Sequence, residues 1–175
     1  MSGLPPARFA QIFSAIGHLY IHFFTAIYAT IVLAVVRDWD ASYQELLPLW
    51  TLGSLLVGAA AIPAGWLADR WSARGMMAVF FLGIGAGSVV SGRGGGPVAW
   101  TASLAVIGLF AAIYHPVGIP WVVRNSTVRG KALGLNGIFG NVGGGAAALV
   151  AGFLIDASGW RAAFILPGLV AIATG

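Results

Sequence analysis

Five apolar segments, each long enough to cross a lipid bilayer, follow one another along the chain. A span needs about twenty apolar residues, and the five segments cover residues 9–36, 46–68, 75–92, 97–123 and 131–155. A sixth segment, residues 160–175, is too short to cross a hydrocarbon core about 30 Å thick at about 1.5 Å per residue. The pattern predicts an all-α membrane protein. We expect the sixth helix to be incomplete and the chain to be a fragment.

The composition agrees with a membrane protein and excludes several other classes. The chain has 59% hydrophobic and 8% charged residues, with a mean hydropathy of +0.91. A soluble domain carries about three times that charged fraction, because its surface must be polar. The basic residues are scattered between apolar segments, so nucleic acid is not expected as a partner. There is no cysteine for disulfides or thiolate metal sites, and without catalytic or nucleotide-binding motifs we expect neither an enzyme nor a cofactor.

A short motif occurs twice, at the ends of the second and fifth segments. Ala64–Asp69 reads AGWLAD and Ala151–Asp156 reads AGFLID, with an offset of 87 residues, and an arginine follows each copy at the same distance. Because an odd number of spans separates the copies, they lie on opposite faces of the membrane. This predicts an inverted-topology repeat of three plus three helices, with units at residues 1–92 and 93–175.

The first copy belongs to a longer stretch that resembles a family signature. Residues 65–74 read GWLADRWSAR, which resembles the G-x-L-A-D-R-x-G-R-R/K signature of the major facilitator superfamily, although Ser72 and Ala73 depart from it. Residues 129–134 and 159–164 are similar to the entries into that family's fifth and sixth helices. The resemblance implies the N-terminal six-helix half of a twelve-helix transporter. Its expected partner is the missing C-terminal half or a second copy of the chain.

The resemblance also implies a role for this charged stretch. In the family, the loop is thought to bridge the two halves in the outward-facing state, with its aspartate against a helix N-terminus of the other half. We therefore expect a conformational latch. A plain charged turn at the cytoplasmic face would explain the two arginines but not the glycine and the aspartate. The expected latch residues are Gly65, Asp69, Arg70 and Arg74.

Three histidines lie inside the apolar segments, where ionisable side chains are costly and by default mark a function. His18 and His22 share one face of the first segment, and His115 lies in the fourth segment at the depth of His18. The resemblance places helices one and four at a central cavity, so we expect the histidines to line a substrate or proton pathway. Further polar candidates on this pathway are Tyr114, Asn136 and Asn141.

Three interpretations of the histidines stay open. They are proton coupling or substrate gating, binding of a metal ion, and hydrogen bonds with a purely structural role. Metal binding is the least favoured, because no carboxylate or thiolate lies within these segments. The sequence alone therefore assigns no metal site.

Two prolines predict a kink in the fourth segment. Pro116 and Pro120 each remove a backbone donor, and the kink is expected to free carbonyls toward the cavity. The run Tyr-His-Pro-x-Gly over residues 114–118 resembles the fosmidomycin-resistance-like branch of the superfamily. Members of that branch are regarded as drug-efflux proteins.

The distribution of Lys and Arg predicts the orientation. With a cytoplasmic N-terminus, most of the basic residues lie on the inner side of the membrane. We therefore expect the N-terminus in the cytoplasm and the chain in a bacterial cytoplasmic membrane.

We predict a secondary active transporter that works by alternating access, with proton-coupled efflux of a drug-like or small organic molecule. The alternatives are an uptake transporter for a small organic solute or a metal ion, and a membrane interaction module that does not transport.

Overall fold

The alternation of apolar segments and polar turns becomes a series of helices in the computed structural model, which describes residues 6–175. These residues form helices and turns but no strand, so the predicted all-α class is confirmed. A 3₁₀ turn at Leu47–Trp50 joins the helices Tyr43–Leu46 and Thr51–Ala59. The helices are α1 Pro6–Trp39, α2 Tyr43–Leu46, α3 Thr51–Ala59, α4 Ala61–Arg70, α5 Ala73–Ser91, α6 Gly96–Ala111, α7 Tyr114–Arg124, α8 Arg129–Ser158 and α9 Trp160–Thr174.

The spans follow the predicted segments. Four helical stretches are long and apolar enough to cross a membrane, and Tyr43–Ala59 and Ala61–Arg70 pass the same test together, with a bend of 41° between them. Helix α9 is apolar but shorter. Helices α1 (Pro6–Trp39) and α8 (Arg129–Ser158) extend beyond the segments predicted for them, residues 9–36 and 131–155. Helical hydrogen bonding continues past the hydrocarbon core into polar residues, which an apolar pattern does not detect.

Two spans are interrupted a few residues before a proline. The second breaks at Ala60, before Pro63, and the fourth breaks at residues 112–113, before Pro116. A proline has no N–H for the carbonyl four residues earlier, so the helix is weakest there. The interruption of the fourth span therefore lies beside Pro116, whereas Pro120 lies within α7. The break in the second span was not predicted.

Glycines set the closest helix contacts. Helix α1 packs along α8, α3 along α6, and α5 along α9. Each of these pairs contains a glycine where a Cβ atom would collide with the backbone of the partner helix. Such contacts let two backbones approach closely, as is common between membrane helices. The contacts are Gly143 with Leu19, Gly108 with Gly53, and Gly85 with Gly168.

The two ends of the helix bundle carry separate polar contacts. At one end, the Arg74 guanidinium lies 4.6 Å from the centroid of the Phe9 ring. At the other end, Trp160 Nε1 donates a 2.7 Å hydrogen bond to Asp38, and Arg161 lies 3.9 Å from the same carboxylate. Arg74 and Arg161, which follow the two copies of the repeated motif, thus lie at opposite ends of the bundle. Which end is cytoplasmic stays a prediction, as does the inverted repeat, whose boundary falls in the turn between α5 and α6.

Candidate functional site

The three histidines come together where α1 meets α7. One ring nitrogen from each of His18, His22 and His115 lies within 4.8 Å of the other two. The Nε2 atoms of His18 and His22 are 3.1 Å apart. The ring centroid of His115 lies 5.7 Å from that of His18 and 5.8 Å from that of His22. The structure therefore brings together the three histidines found inside the apolar segments, and we call this group the histidine triad.

His18 is held on three sides, which fixes its tautomer. Its Nδ1 lies 2.9 Å from the backbone oxygen of Asn136. A carbonyl oxygen only accepts hydrogen bonds, so Nδ1 carries the proton and Nε2 has a free lone pair. His22 Nε2–H therefore donates to His18 Nε2. The His18 ring also stacks on Tyr114, at 5.0 Å between centroids, and a Cβ atom at Gly140 would lie 2.7 Å from the ring.

A buried polar network lies beside the triad and joins α1, α7 and α8. The Tyr114 hydroxyl lies 3.0 Å from Asn136 Oδ1 and 2.9 Å from the Ser14 carbonyl oxygen. Asn136 Nδ2 donates to Ser14 Oγ at 3.0 Å, and Ser14 Oγ donates to the Gly118 carbonyl at 2.9 Å. Among the described residues, every buried side-chain nitrogen or oxygen has a hydrogen-bond partner. Such a satisfied network fixes the relative positions of the three helices.

The predicted pathway residues divide into three groups. The first group is the triad, in which His115 is exposed and His18 and His22 are partly buried. The second group, Tyr114 and Asn136, is buried in the network rather than on the open side of the triad. Asn141 lies on an exposed face of α8, about 140° around the helix from Asn136, so the structure does not bring it to the triad. Sequence reasoning missed Ser14, although its i, i+4 spacing from His18 was a usable signal.

The exposed position of His115 limits what its surroundings can be. An imidazole facing lipid hydrocarbon is costly, so polar side chains within spans face protein or water. The open side of the triad therefore faces a water-filled space or another protein surface. Chemically, the triad offers imidazole nitrogens that can exchange protons, accept or donate hydrogen bonds, or ligate a metal ion.

The predicted latch residues lie at the ends of α4 and α5. The Asp69 carboxylate is 3.6 Å from the Arg124 guanidinium at the end of α7. One helical turn away, a Cβ atom at Gly65 would lie 3.3 Å from Pro116 of α7. Sequence reasoning missed Arg124, because no local pattern links it to Asp69. These two contacts join α4 to α7. Each of these helices is the part of its span that follows the break.

The two arginines of the latch contact aromatic rings. The Arg70 guanidinium lies 3.9 Å from the centroid of Trp66, one turn earlier in α4. Arg74 lies over Phe9 of α1, as described above. Both side chains are exposed, so their ends can reach the headgroup region while their stems cover the rings.

Comparison with known proteins identifies the family. The family model described as Major Facilitator Superfamily matches residues 14–175. The chain belongs to the major facilitator superfamily. The predicted resemblance is confirmed, and together with the apolar helices it makes the chain an integral membrane protein. The fosmidomycin-resistance-like branch stays a prediction.

Three relatives give the comparison more detail. The protein NiaP of Bacillus subtilis is 29% identical over 161 residues, which cover 90% of this chain. The niacin transporter NiaP of Acinetobacter baylyi is 28% identical over 159 residues, again 90% of this chain. The puromycin resistance protein pur8 of Streptomyces alboniger is 32% identical over 128 residues, 70% of this chain. The matches span 40%, 36% and 24% of the relatives' own lengths, respectively.

Proposed function

We propose that these 175 residues are part of a secondary active transporter that moves a small organic solute by alternating access. The observation that carries the proposal is a polar triad within the spans of a major facilitator protein, with His115 open to one side. In such proteins, solute sites lie near the bilayer midplane, and two halves rock around them.

A second six-helix unit is part of this proposal. The triad opens on a surface of the chain rather than inside it, because His115 is exposed. A solute at that surface needs a facing wall, which another half or a second copy of the chain would supply. We further propose that the N-terminus lies inside a bacterial cytoplasmic membrane, since basic residues then concentrate on the inner side.

The relatives suggest two solute classes. The first candidate is a niacin-like molecule, because the NiaP proteins match 90% of this chain. The second is a drug-like molecule carried outward, which agrees with the name of the Streptomyces relative and with the efflux predicted from the sequence. Both candidates are small organic solutes, so either one would bind at the same proposed surface beside the triad.

A transport assay on the full-length protein tests the proposal. The protein is reconstituted in liposomes, and the flux of radiolabelled niacin and puromycin is measured with and without an imposed pH gradient. Flux of either solute above that of protein-free liposomes is the expected result. A pH-dependent rate would support the predicted proton coupling, and the direction of net flux would separate uptake from efflux.

A variant links the flux to the triad. His115→Ala is expected to reduce flux at least tenfold with normal expression, because His115 is the exposed member of the triad. Thr25→Val is the matched control: its hydroxyl donates to the Ile21 and His22 carbonyls of its own helix. Full flux in His115→Ala would contradict the proposed site. No flux of any tested organic solute by the wild type would favour a membrane module that does not transport.

A further inference from the structure

The triad contains a pair of nitrogens at the spacing of metal ligands. In a tetrahedral zinc site, metal–nitrogen bonds of about 2.0–2.1 Å place two ligand nitrogens about 3.3–3.4 Å apart. The Nε2 atoms of His18 and His22 are 3.1 Å apart, so a shift of a few tenths of an ångström would suit a shared ion. The two side chains have this spacing because they lie at i, i+4 on one face of α1.

The hydrogen bond of His18 also matches that of a metal ligand. A histidine that binds metal through one nitrogen usually donates its other N–H to a carbonyl or carboxylate, which fixes the tautomer and aims the lone pair. His18 donates from Nδ1 to the Asn136 carbonyl at 2.9 Å, which leaves Nε2 free. Stacking on Tyr114 and contact with Gly140 hold the ring in this orientation. The first ligand is therefore preorganised.

The third nitrogen is near and its side chain is free to adjust. A ring nitrogen of His115 lies within 4.8 Å of those of His18 and His22. Because His115 is exposed, rotation of its side chain meets little resistance. His22 needs two rearrangements: its ring proton moves from Nε2 to Nδ1, and its ring turns so that the Nε2 lone pair points at the ion instead of at His18.

We propose that the triad of His18, His22 and His115 binds one divalent transition-metal ion of the class that prefers imidazole, such as Zn²⁺ or Co²⁺. Three neutral imidazoles supply three ligands and leave a fourth position open toward the exposed side, where water or an anion completes the coordination. No carboxylate or thiolate belongs to the group, which disfavours Ca²⁺ and Mg²⁺.

This site does not depend on what the protein transports. It is a binding site for an ion, and its occupancy would tie α1 to α7 across the helix contact that the triad spans. Binding is measured without any flux, so the proposal can fail while transport is found, and it can hold while transport is not. Inhibition of flux by Zn²⁺ would be a consequence of binding rather than its test.

Titration with Co²⁺ tests the site directly. The full-length protein is purified with a tag that contains no histidine, and metal is removed with a chelator. The probe is Co²⁺, whose visible absorption reports coordination geometry. The three histidines of this chain are all in the triad, and the chain has no cysteine. We therefore expect these residues to contribute one saturable Co²⁺ site with tetrahedral absorption, displaced by Zn²⁺.

Variants decide between a site and chance proximity. His115→Ala is expected to weaken Co²⁺ binding at least tenfold and to remove the tetrahedral spectrum, and His22→Ala to do the same. Thr25→Val, on the same helix as His22, is expected to bind like the wild type. A second readout is thermal: Zn²⁺ should raise the melting temperature of the wild type and not that of His115→Ala. Equal Co²⁺ binding by wild type and His115→Ala, or no saturable binding by the wild type, would overturn the proposal.

Discussion

The Asp69 carboxylate lies 3.6 Å from the guanidinium of Arg124, so an ion pair joins the ends of α4 and α7. The side chains are 67% and 70% exposed, respectively, and an exposed pair of this kind contributes roughly 0–1 kcal/mol to stability. Its position is more informative than its strength. Both helices follow a break in their spans, and a weak contact between two such segments can form in one conformation and open in another.

Asp69→Asn is expected to slow transport turnover more than it weakens solute binding. The substitution keeps the size of the side chain but removes the charge that faces Arg124. Stability should change by less than about 1 kcal/mol. Initial rates and solute affinity in liposomes containing the full-length protein measure the two effects separately.

Two further variants show which partner Asp69 uses. If the pair with Arg124 is the latch, Arg124→Gln should reproduce the Asp69→Asn phenotype, and the double variant should be no slower than either. Asp156→Asn is the matched control, because Asp156 is the repeat counterpart of Asp69, and among residues 6–175 no basic side chain lies within 4 Å of it. Normal turnover in Asp69→Asn would refute the latch. If Asp69→Asn is slow and Arg124→Gln has a normal rate, the functional partner of Asp69 is not Arg124, and we would expect it in the other half of the transporter.

Gly65→Leu is expected to separate α4 from α7 and to reduce turnover. A Cβ atom at Gly65 would already lie 3.3 Å from Pro116, so we expect the bulk of a leucine side chain to push the two helices apart. Gly58→Leu is the control in the same span, since a Cβ there meets no atom of the described residues 6–175 within 4 Å. The expected ranking in transport rate is wild type and Gly58→Leu above Gly65→Leu. Equal rates for the two variants would count against a functional α4–α7 contact.

Gly143→Ala is expected to destabilise the protein by about 1–3 kcal/mol, the usual cost of overpacking. The new methyl group would collide with the backbone carbonyl of Leu19 in α1, which cannot rotate away. Gly145→Ala is the control on the same helix, because within the part of the chain that the structure describes no atom lies within 4 Å of a Cβ there. It should be neutral or stabilising by up to about 1 kcal/mol. Thermal unfolding in one detergent compares the two, and an equal melting temperature would mean that α1 and α8 are less closely packed than described.

Tyr114→Phe is expected to cost about 1–3 kcal/mol, because it leaves Asn136 Oδ1 without its hydroxyl donor in a buried site. Tyr20→Phe is the control: that hydroxyl bonds Thr174 at 3.1 Å in a partly exposed position, so its loss should cost less. The difference in melting temperature between the two variants measures how much the buried hydrogen bonds of Tyr114 contribute to stability. If Tyr114→Phe melts at the wild-type temperature, the network does not hold α1, α7 and α8 together.

The helices and the family were readable from the sequence because both are local properties. An apolar run must match the thickness of the bilayer, so its length alone marks a span, as it does for α1 and α5. The signature over residues 65–74 is likewise continuous in sequence. The kinks were only partly readable. The fourth span breaks at residues 112–113, just before Pro116, while Pro120, with the same lack of an N–H group, lies inside an unbroken helix.

The candidate site was readable only in outline. Depth along a helix follows from counting residues, and this placed His18 and His115 at one level. Which face each helix presents depends on its neighbours. That is why Asn136 is buried against α1 and Asn141 of the same helix is exposed.

The sequence by itself therefore determined that this is an all-α membrane protein of the major facilitator superfamily, with histidines inside its spans. Tertiary structure alone decided that these histidines meet within 4.8 Å, that Ser14 joins their neighbours, and that Asp69 pairs with Arg124. The physical reason is the same in each case. Hydropathy acts on each segment separately, whereas a contact between distant segments depends on how closely their backbones pack, as where Gly143 of α8 meets the Leu19 backbone of α1.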